Sequence, residues 1–214
     1  ADARGGALEA GAGVGSVGLA LAMRAPSVEI GLIENDPALA ALARANVAAN
    51  GLGARAAVFE ADLLSPGARR AAGLANEAAD WLLTNPPYLD PARARVAPEK
   101  AAAHAMLESG PLAMVRWVKA CLALLRPGGV LLMIHRADAL DDILAACDGR
   151  CGDLRVIPAH PTAEAAAIRV LVRAVKGSRA PLSIRPPLVL HAAGGGYRPQ
   201  AEALLKGEGG LDWG

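Results

Sequence analysis

Ala7-Leu8-Glu9-Ala10-Gly11-Ala12-Gly13-Val14-Gly15 joins the end of an apolar run to a cluster of alternating glycines. Ser16 to Arg24 then continues with helical character, and Ser16 stands where a helix N-cap belongs. The reading is a buried strand, a tight loop and a helix. The same unit recurs outward along the chain. Val28 to Glu34 is a second apolar strand, and Asp36-Pro37 opens a helix whose stripe is Leu39, Leu42 and Val47, ended by Asn50-Gly51. Ala57 to Glu60 is a third strand, and Ser65 to Asn76 is helical or irregular. Trp81 to Thr84 is a fourth strand, running directly into Asn85-Pro86-Pro87-Tyr88. A polar stretch from Asp90 to Lys100 precedes helical sequence through Leu125. Arg126-Pro127-Gly128-Gly129 reads as a turn before a strand from Val130 to His135. A helix from Ala139 to Cys147 leads to a strand pair, Leu154 to Ile157 and Ile168 to Val175. Continuous apolar strands alternating with helices predict an α/β, doubly wound, mostly parallel sheet, with that last pair antiparallel. Beyond Val175 the chain turns rich in Pro, Ser and Arg, with a loop at Gly194-Gly195-Gly196 and a short helix from Gln200 to Lys206. Residues 1–175 are therefore expected to form the domain, and 176–214 a basic extension packed on it.

Composition narrows the classes. The chain has 214 residues, 53% hydrophobic but only 3% aromatic, enough for one domain with a core of small aliphatic side chains. A net charge of +1 argues against a polycation while leaving room for a local basic face. The three cysteines, Cys121, Cys147 and Cys151, and the scattered His104, His135, His160 and His191 complete no spaced metal motif, so no metal is expected. No apolar run reaches the roughly 18 residues of a membrane span, and no signal peptide opens the chain. A cytoplasmic protein is expected. The chain opens on Ala1 and almost at once on a strand, which predicts that residues precede it in the whole protein.

The glycine loop admits a nucleotide-like ligand, because side chains there would keep the backbone away from it. Gly13-x-Gly15-x-x-Gly18 also fits the dinucleotide pattern, so the loop alone leaves a dehydrogenase open. Glu34 ends the second strand about 20 residues on, where a carboxylate accepts ribose hydroxyls in either class. Asp62 follows the third strand, with Leu63 beside it to pack on a flat ring.

Asn85-Pro86-Pro87-Tyr88 separates the two classes. The prolines end the strand in a stiff turn. The Asn85 side-chain oxygen and the Pro86 carbonyl can both accept from one NH2 group, orienting its lone pair for attack on a methyl sulfonium. Tyr88 offers a face for stacking a planar substrate.

Glu9-Ala-Gly-Ala-Gly-Val-Gly15, Glu34, Asp62 and Asn85-Pro-Pro-Tyr88 together resemble the S-adenosylmethionine-dependent amino-methyltransferases of the Rossmann-like class I, built on a seven-strand sheet. The resemblance implies that Glu9, Ala10, Gly11, Gly13 and Gly15 border the methionine part of S-adenosylmethionine. It gives Glu34 with Asn35 the ribose, and Asp62 with Leu63 the adenine. Asn85, Pro86, Pro87 and Tyr88 would hold the amine, with Asn85 also touching the cofactor. His135-Arg-Ala-Asp-Ala-Leu140, Ala167-Ile-Arg-Val-Leu-Val-Arg173 and Lys176-Gly-Ser-Arg-Ala-Pro181 before Leu188-Val-Leu-His191 resemble the bacterial tRNA(Val) adenine-37 N6-methyltransferases, the alphaproteobacterial branch in particular. That implies tRNA as the partner. Members of that group carry sequence before the first strand that is absent here.

Charge points the same way. From Leu154 to Arg185 the chain carries Arg155, Arg169, Arg173, Lys176, Arg179 and Arg185 against Glu164, a stretch attractive to a polyanion. Arg93, Arg95 and Lys100 would flank the same substrate after the turn. Four other readings stay open: a glutamine amide in release factors, an rRNA base amine, a nucleotide-binding module without catalysis, and a dehydrogenase. No residue pattern fixes an oligomeric state.

Overall fold

β1 (Gly5–Ala10) lies inside a mixed sheet, and the rest of the chain is placed relative to it. The computed structural model describes residues 5–86 and 111–214. α1 (Ser16–Arg24), β2 (Val28–Glu34), α2 (Pro37–Ala49), β3 (Ala56–Glu60) and α3 (Pro66–Ala71) build outward on one side of β1. β4 (Ala79–Thr84), α4 (Pro111–Leu124), β5 (Leu125–Arg136), α5 (Leu140–Cys147), β6 (Cys151–His160) and β7 (Arg169–Lys176) build the other side. Two-residue strands β8 (Ser183–Ile184) and β9 (Leu188–Val189) and a last helix α6 (Pro199–Leu205) complete the described chain.

The strand order is β3-β2-β1-β4-β5-β7-β6-β8, with β9 also paired to β6. β1 to β5 run parallel, and β7 is antiparallel to both β5 and β6. This is a Rossmann-like α/β fold, the seven long strands being those the sequence implied. Leu19, Ala43 and Val47 on α1 and α2 pack on Ile30 and Leu32 of one sheet face. Val118, Leu124 and Ile143 on α4 and α5 pack on Leu82 and Leu131 of the other. Each leucine, isoleucine or valine among them contributes about 1.5–3 kcal/mol on removal from water.

Three local expectations change. The cap of α1 is Gly15 in the left-handed region (φ 86), and Ser16 makes no cap bond. Its first-turn Gly18 N–H is met instead by the Glu9 carboxylate of β1, at 2.8 Å. Arg126 to Gly129 lie within β5: Leu125 pairs Ala79 and Val130 pairs Trp81, so the intervening residues bulge out of register. Arg126 anchors that bulge on Asp80. β6 also runs through Pro158, because the pairing of β8 ends at Val156 and that of β9 begins at Ala159, so no donor is needed between them.

Residues past Val175 pack as well as pair. Leu188, Leu204, Leu211 and Trp213 gather on Ile157, Ala159 and Leu171 of β6 and β7, and Arg24 of α1 donates to the Gly209 carbonyl at 2.9 Å.

Candidate active site

The chain leaves β1 for β2 on one side and returns as β4 on the other, so a crevice opens where the carboxyl ends of β1 and β4 meet. Glu9 and Ala10 end β1, and Thr84 and Asn85 end β4. Ala10 pairs Thr84 directly, and the Thr84 hydroxyl donates to the Ala10 carbonyl at 2.9 Å. Trp117 of α4 donates its indole N–H to that hydroxyl at 3.0 Å and lies against Gly11, where an added Cβ would sit 3.3 Å from the ring. The two strand ends are thus fixed to each other by a buried polar chain.

The glycine loop is held by Glu34. Gly11 and Gly13 take φ 71 and φ 56, a region L side chains avoid. Gly13 N–H donates to Glu34 Oε2 at 2.7 Å, and Asn35 and Asp36 N–H donate to Oε1 at 2.9 Å each. Oε2, with one N–H on it, therefore keeps acceptor capacity. From α2, Asn46 donates to the Val14 carbonyl at 2.9 Å and ties the loop to the next helix.

Glu9 is buried, and burial pushes its carboxyl up to about 7, with the Glu34 charge adding to the rise and the Gly18 N–H opposing it. Gly18 is small for the same reason: a Cβ there would stand 2.7 Å from Glu9 Oε2 and 2.4 Å from Leu32. The third glycine that kept the dinucleotide pattern open is thus a packing residue against Glu9 and β2.

A cavity of about 350 Å³ brings Glu9, Thr84 and Asn85 together with Val17, Leu83 and Trp213. Asn85 is exposed and Pro86 is buried. Glu34, and beyond it Asp62 and Leu63, follow along the same carboxyl edge outside this cavity. Asp62 is exposed and its Oδ1 accepts from Leu64 N–H at 2.8 Å, while Leu63 is buried. Pro87, Tyr88, Arg93, Arg95, Lys100 and His104 lie outside the described residues. His135 ends β5, and burial, then Arg136 and Arg169, hold its pKa below the usual imidazole value. Among the described residues no cluster of three His, Cys, Asp or Glu could hold a metal, and no helix is long and apolar enough to cross a membrane.

The basic stretch is divided by strand direction. β7 runs antiparallel, so Arg169 pairs Arg136 near the carboxyl edge, while Lys176 donates to the Leu125 carbonyl at 2.7 Å, at the amino edge. Lys176 and, past it, Arg179 thus sit toward the edge remote from Asn85, while Arg173 pairs Leu132 and stands level with Leu83. Asp153, one residue outside the stretch counted from the sequence, pairs both Arg173 (2.6 Å) and Arg155 (2.8 Å). Lys176 pairs Glu77 at 2.9 Å and Arg185 pairs Asp212 at 3.6 Å, and Arg179 is exposed.

Sequence reading passed over Thr84, Trp117 and Asn46 as parts of the site, and Gly18 entered it only as the last glycine of the dinucleotide pattern. Trp117 left a trace as one of three tryptophans in a chain poor in aromatics.

A family model described as the methyltransferase small domain matches residues 1–145. A protein named tRNA1(Val) (adenine(37)-N6)-methyltransferase, from two strains of Porphyromonas gingivalis, is 28% identical over 206 residues, covering 93% of this chain and 77% of the relative. The crystal structure of a protein from Agrobacterium tumefaciens, named as a predicted O-methyltransferase, is 30% identical with a TM-score of 0.82, covering 99% of this chain and 93% of that one. An S-adenosylmethionine-dependent O-methyltransferase from Thermotoga maritima shares the fold at 16% identity and a TM-score of 0.55, covering 82% and 60%.

Proposed function

The chain belongs to the methyltransferase small domain family and is a methyltransferase, and from that premise we propose that it uses S-adenosylmethionine to methylate the exocyclic N6 amine of an adenine in tRNA, at position 37 of a valine tRNA. One observation carries the chemistry: Asn85 and Glu9, at the neighbouring carboxyl ends of β4 and β1, line one cavity that extends over β5 to Leu211 and Trp213. The tRNA substrate rests on the relatives from Porphyromonas gingivalis.

The residues present fit the cofactor. Gly11 and Gly13 put no side chain in front of the loop, and the acceptor capacity left on Glu34 Oε2 suits a ribose hydroxyl. Asp62 with buried Leu63 suits the amine and the flat face of an adenine, while Glu9, Ala10 and Gly15 shape the methionine end and Asn35 the ribose end. When bound, S-adenosylmethionine supplies the electrophilic methyl group.

The chain's own residues hold the acceptor. The Asn85 side-chain oxygen and the Pro86 carbonyl accept the two N–H bonds of the substrate amine and turn its lone pair outward. Tyr88 stacks on the base. The amine proton becomes acidic only as the new N–C bond forms, so a strong base is not required. His135, whose pKa is lowered by burial and then by the charges of Arg136 and Arg169, serves structure. Residues 1–175 form the catalytic domain and 176–214 the extension, a division supported by the pairing of β8 and β9 with β6. Arg93, Arg95 and Arg179 reach the RNA, Arg173 and Lys176 contribute from their ion pairs, and the tRNA substrate makes the protein cytoplasmic.

The test is incubation with methyl-labelled S-adenosylmethionine and, separately, total bacterial tRNA and release factor, followed by digestion and identification of the labelled nucleoside by mass. N6-methyladenosine is expected. Label on glutamine with clean RNA would keep the fold and overturn the substrate.

A further inference from the structure

Arg69 lies in the six-residue helix α3 and is 6% exposed, beneath the loop that joins β3 to that helix. A guanidinium so placed has lost its hydration and is retained only for a directed contact. That contact is the Leu63 carbonyl, to which Nη1 donates. Its Nε meets no acceptor, and no carboxylate among the described residues pairs with the group. The other end of the same peptide unit, Leu64 N–H, donates to Asp62 Oδ1 at 2.8 Å. One peptide plane is therefore gripped at its oxygen by Arg69 and at its nitrogen by Asp62, and each bond polarises the other. Ser65 N–H on the Asp62 carbonyl at 3.1 Å and Ala68 N–H on Ser65 Oγ at 3.2 Å close the turn around it. The result fixes the Asp62 carboxylate with Oδ1 engaged and Oδ2 unengaged among the described residues.

Resting on the cofactor reading above, we propose that Arg69 is a positioning residue for adenine recognition: through the Leu63–Leu64 peptide it orients Asp62 so that Oδ2 accepts the exocyclic amine of the cofactor's adenine. The consequence is selective. Loss of Arg69 weakens discrimination at the 6-position of the purine, while a merely structural residue would weaken binding of every cofactor analogue alike.

The experiment compares S-adenosylhomocysteine with S-inosylhomocysteine, which carries a carbonyl in place of that amine, by calorimetry on the full chain. The wild type is expected to favour the adenine form by about tenfold or more, since a site built to accept an N–H rejects an oxygen. Arg69→Met is expected to fold, because it removes an unpaired buried charge, and to bring the ratio to about threefold or less. Arg69→Gln, checked by circular dichroism, takes its place if the methionine variant does not fold. A folded variant that binds both ligands more weakly at an unchanged ratio overturns the proposal. A wild type that shows no preference overturns instead the assignment of Asp62 to the adenine.

Discussion

The glycine-loop edge and the β6–β7 half both concentrate charged side chains, yet they use them in opposite ways. At the loop, the carboxylates of Glu9 and Glu34 face backbone N–H groups within one strand or one turn of themselves. Among the described residues neither carboxylate has a salt-bridge partner, and both are met by backbone N–H groups. In the other half, Arg155, Arg173, Lys176 and Arg185 each have a carboxylate partner. A run of charge in a sequence is thus a count of groups, while the charge a partner meets depends on what those groups already hold. The acidic edge spends its carboxylates on the backbone of its own loop and helix, and the basic half spends most of its charge on holding strands and the extension together.

Asn85→Ala should open the widest gap between the two regions. Turnover is expected to fall by about 100-fold or more, while calorimetry with S-adenosylhomocysteine shows affinity kept. Equal loss of both would move Asn85 into the cofactor site. Glu34→Ala should act next, weakening S-adenosylhomocysteine binding by roughly 10- to 100-fold, the worth of a charge-assisted hydrogen bond and of a loop whose N–H groups lose their anchor. Unchanged affinity would remove Glu34 from the ribose role.

Acid titration sharpens the contrast at Glu9. Its folded pKa is raised from 4.5 to about 7, so its contribution to stability is fully present below 4.5 and is lost as pH rises through about 7. Thermal melts should show the wild type losing several degrees relative to Glu9→Gln across that window. Parallel curves for the two proteins would mean that Glu9 is not held protonated by burial. The smallest effect belongs to the basic half. Arg179→Ala should reduce the salt slope of tRNA binding by about one. Arg173→Ala should lower stability by about 1 kcal/mol through its half-buried pair with Asp153, moving that slope less. A larger slope change from Arg173 than from Arg179 would reverse the comparison.

What could be read along the chain was whatever its neighbours determine. Gly11 to Gly15 between an apolar run and a helix, and Asp36-Pro37 at a helix start, carry their determinants side by side, and Asp36 does accept from Ala38 and Leu39 N–H as a cap. Ser16 misled because the group that meets the first turn of α1 comes from Glu9, on the preceding strand. Arg126 to Gly129 have the composition of a turn, but Asp80 on the adjacent strand stitches them into a bulge. The basic stretch looked continuous because an antiparallel pair can be read from its two strands without showing which of them joins β5, and it is β7 that does. β7 then carries Lys176 to the edge remote from Asn85. Arg69, Asn46 and Trp117 had no local pattern at all, since each acts on backbone or hydroxyl groups supplied by another element.

The insertion of β7 between β5 and β6 has a consequence for how the protein is made. Until Lys176 has left the ribosome, β5 ends the sheet, and its row of N–H and C=O groups from Val130 to Arg136 stands unpaired beside apolar Leu131 and Met133. Such an edge recruits other strands. The stretch matched by the family model stops at residue 145, before β7, which covers that edge, and β6, which covers β7. Expressed alone, that stretch should carry every residue assigned to the cofactor and the amine and still collect in inclusion bodies, because the strands that seal the sheet lie beyond it.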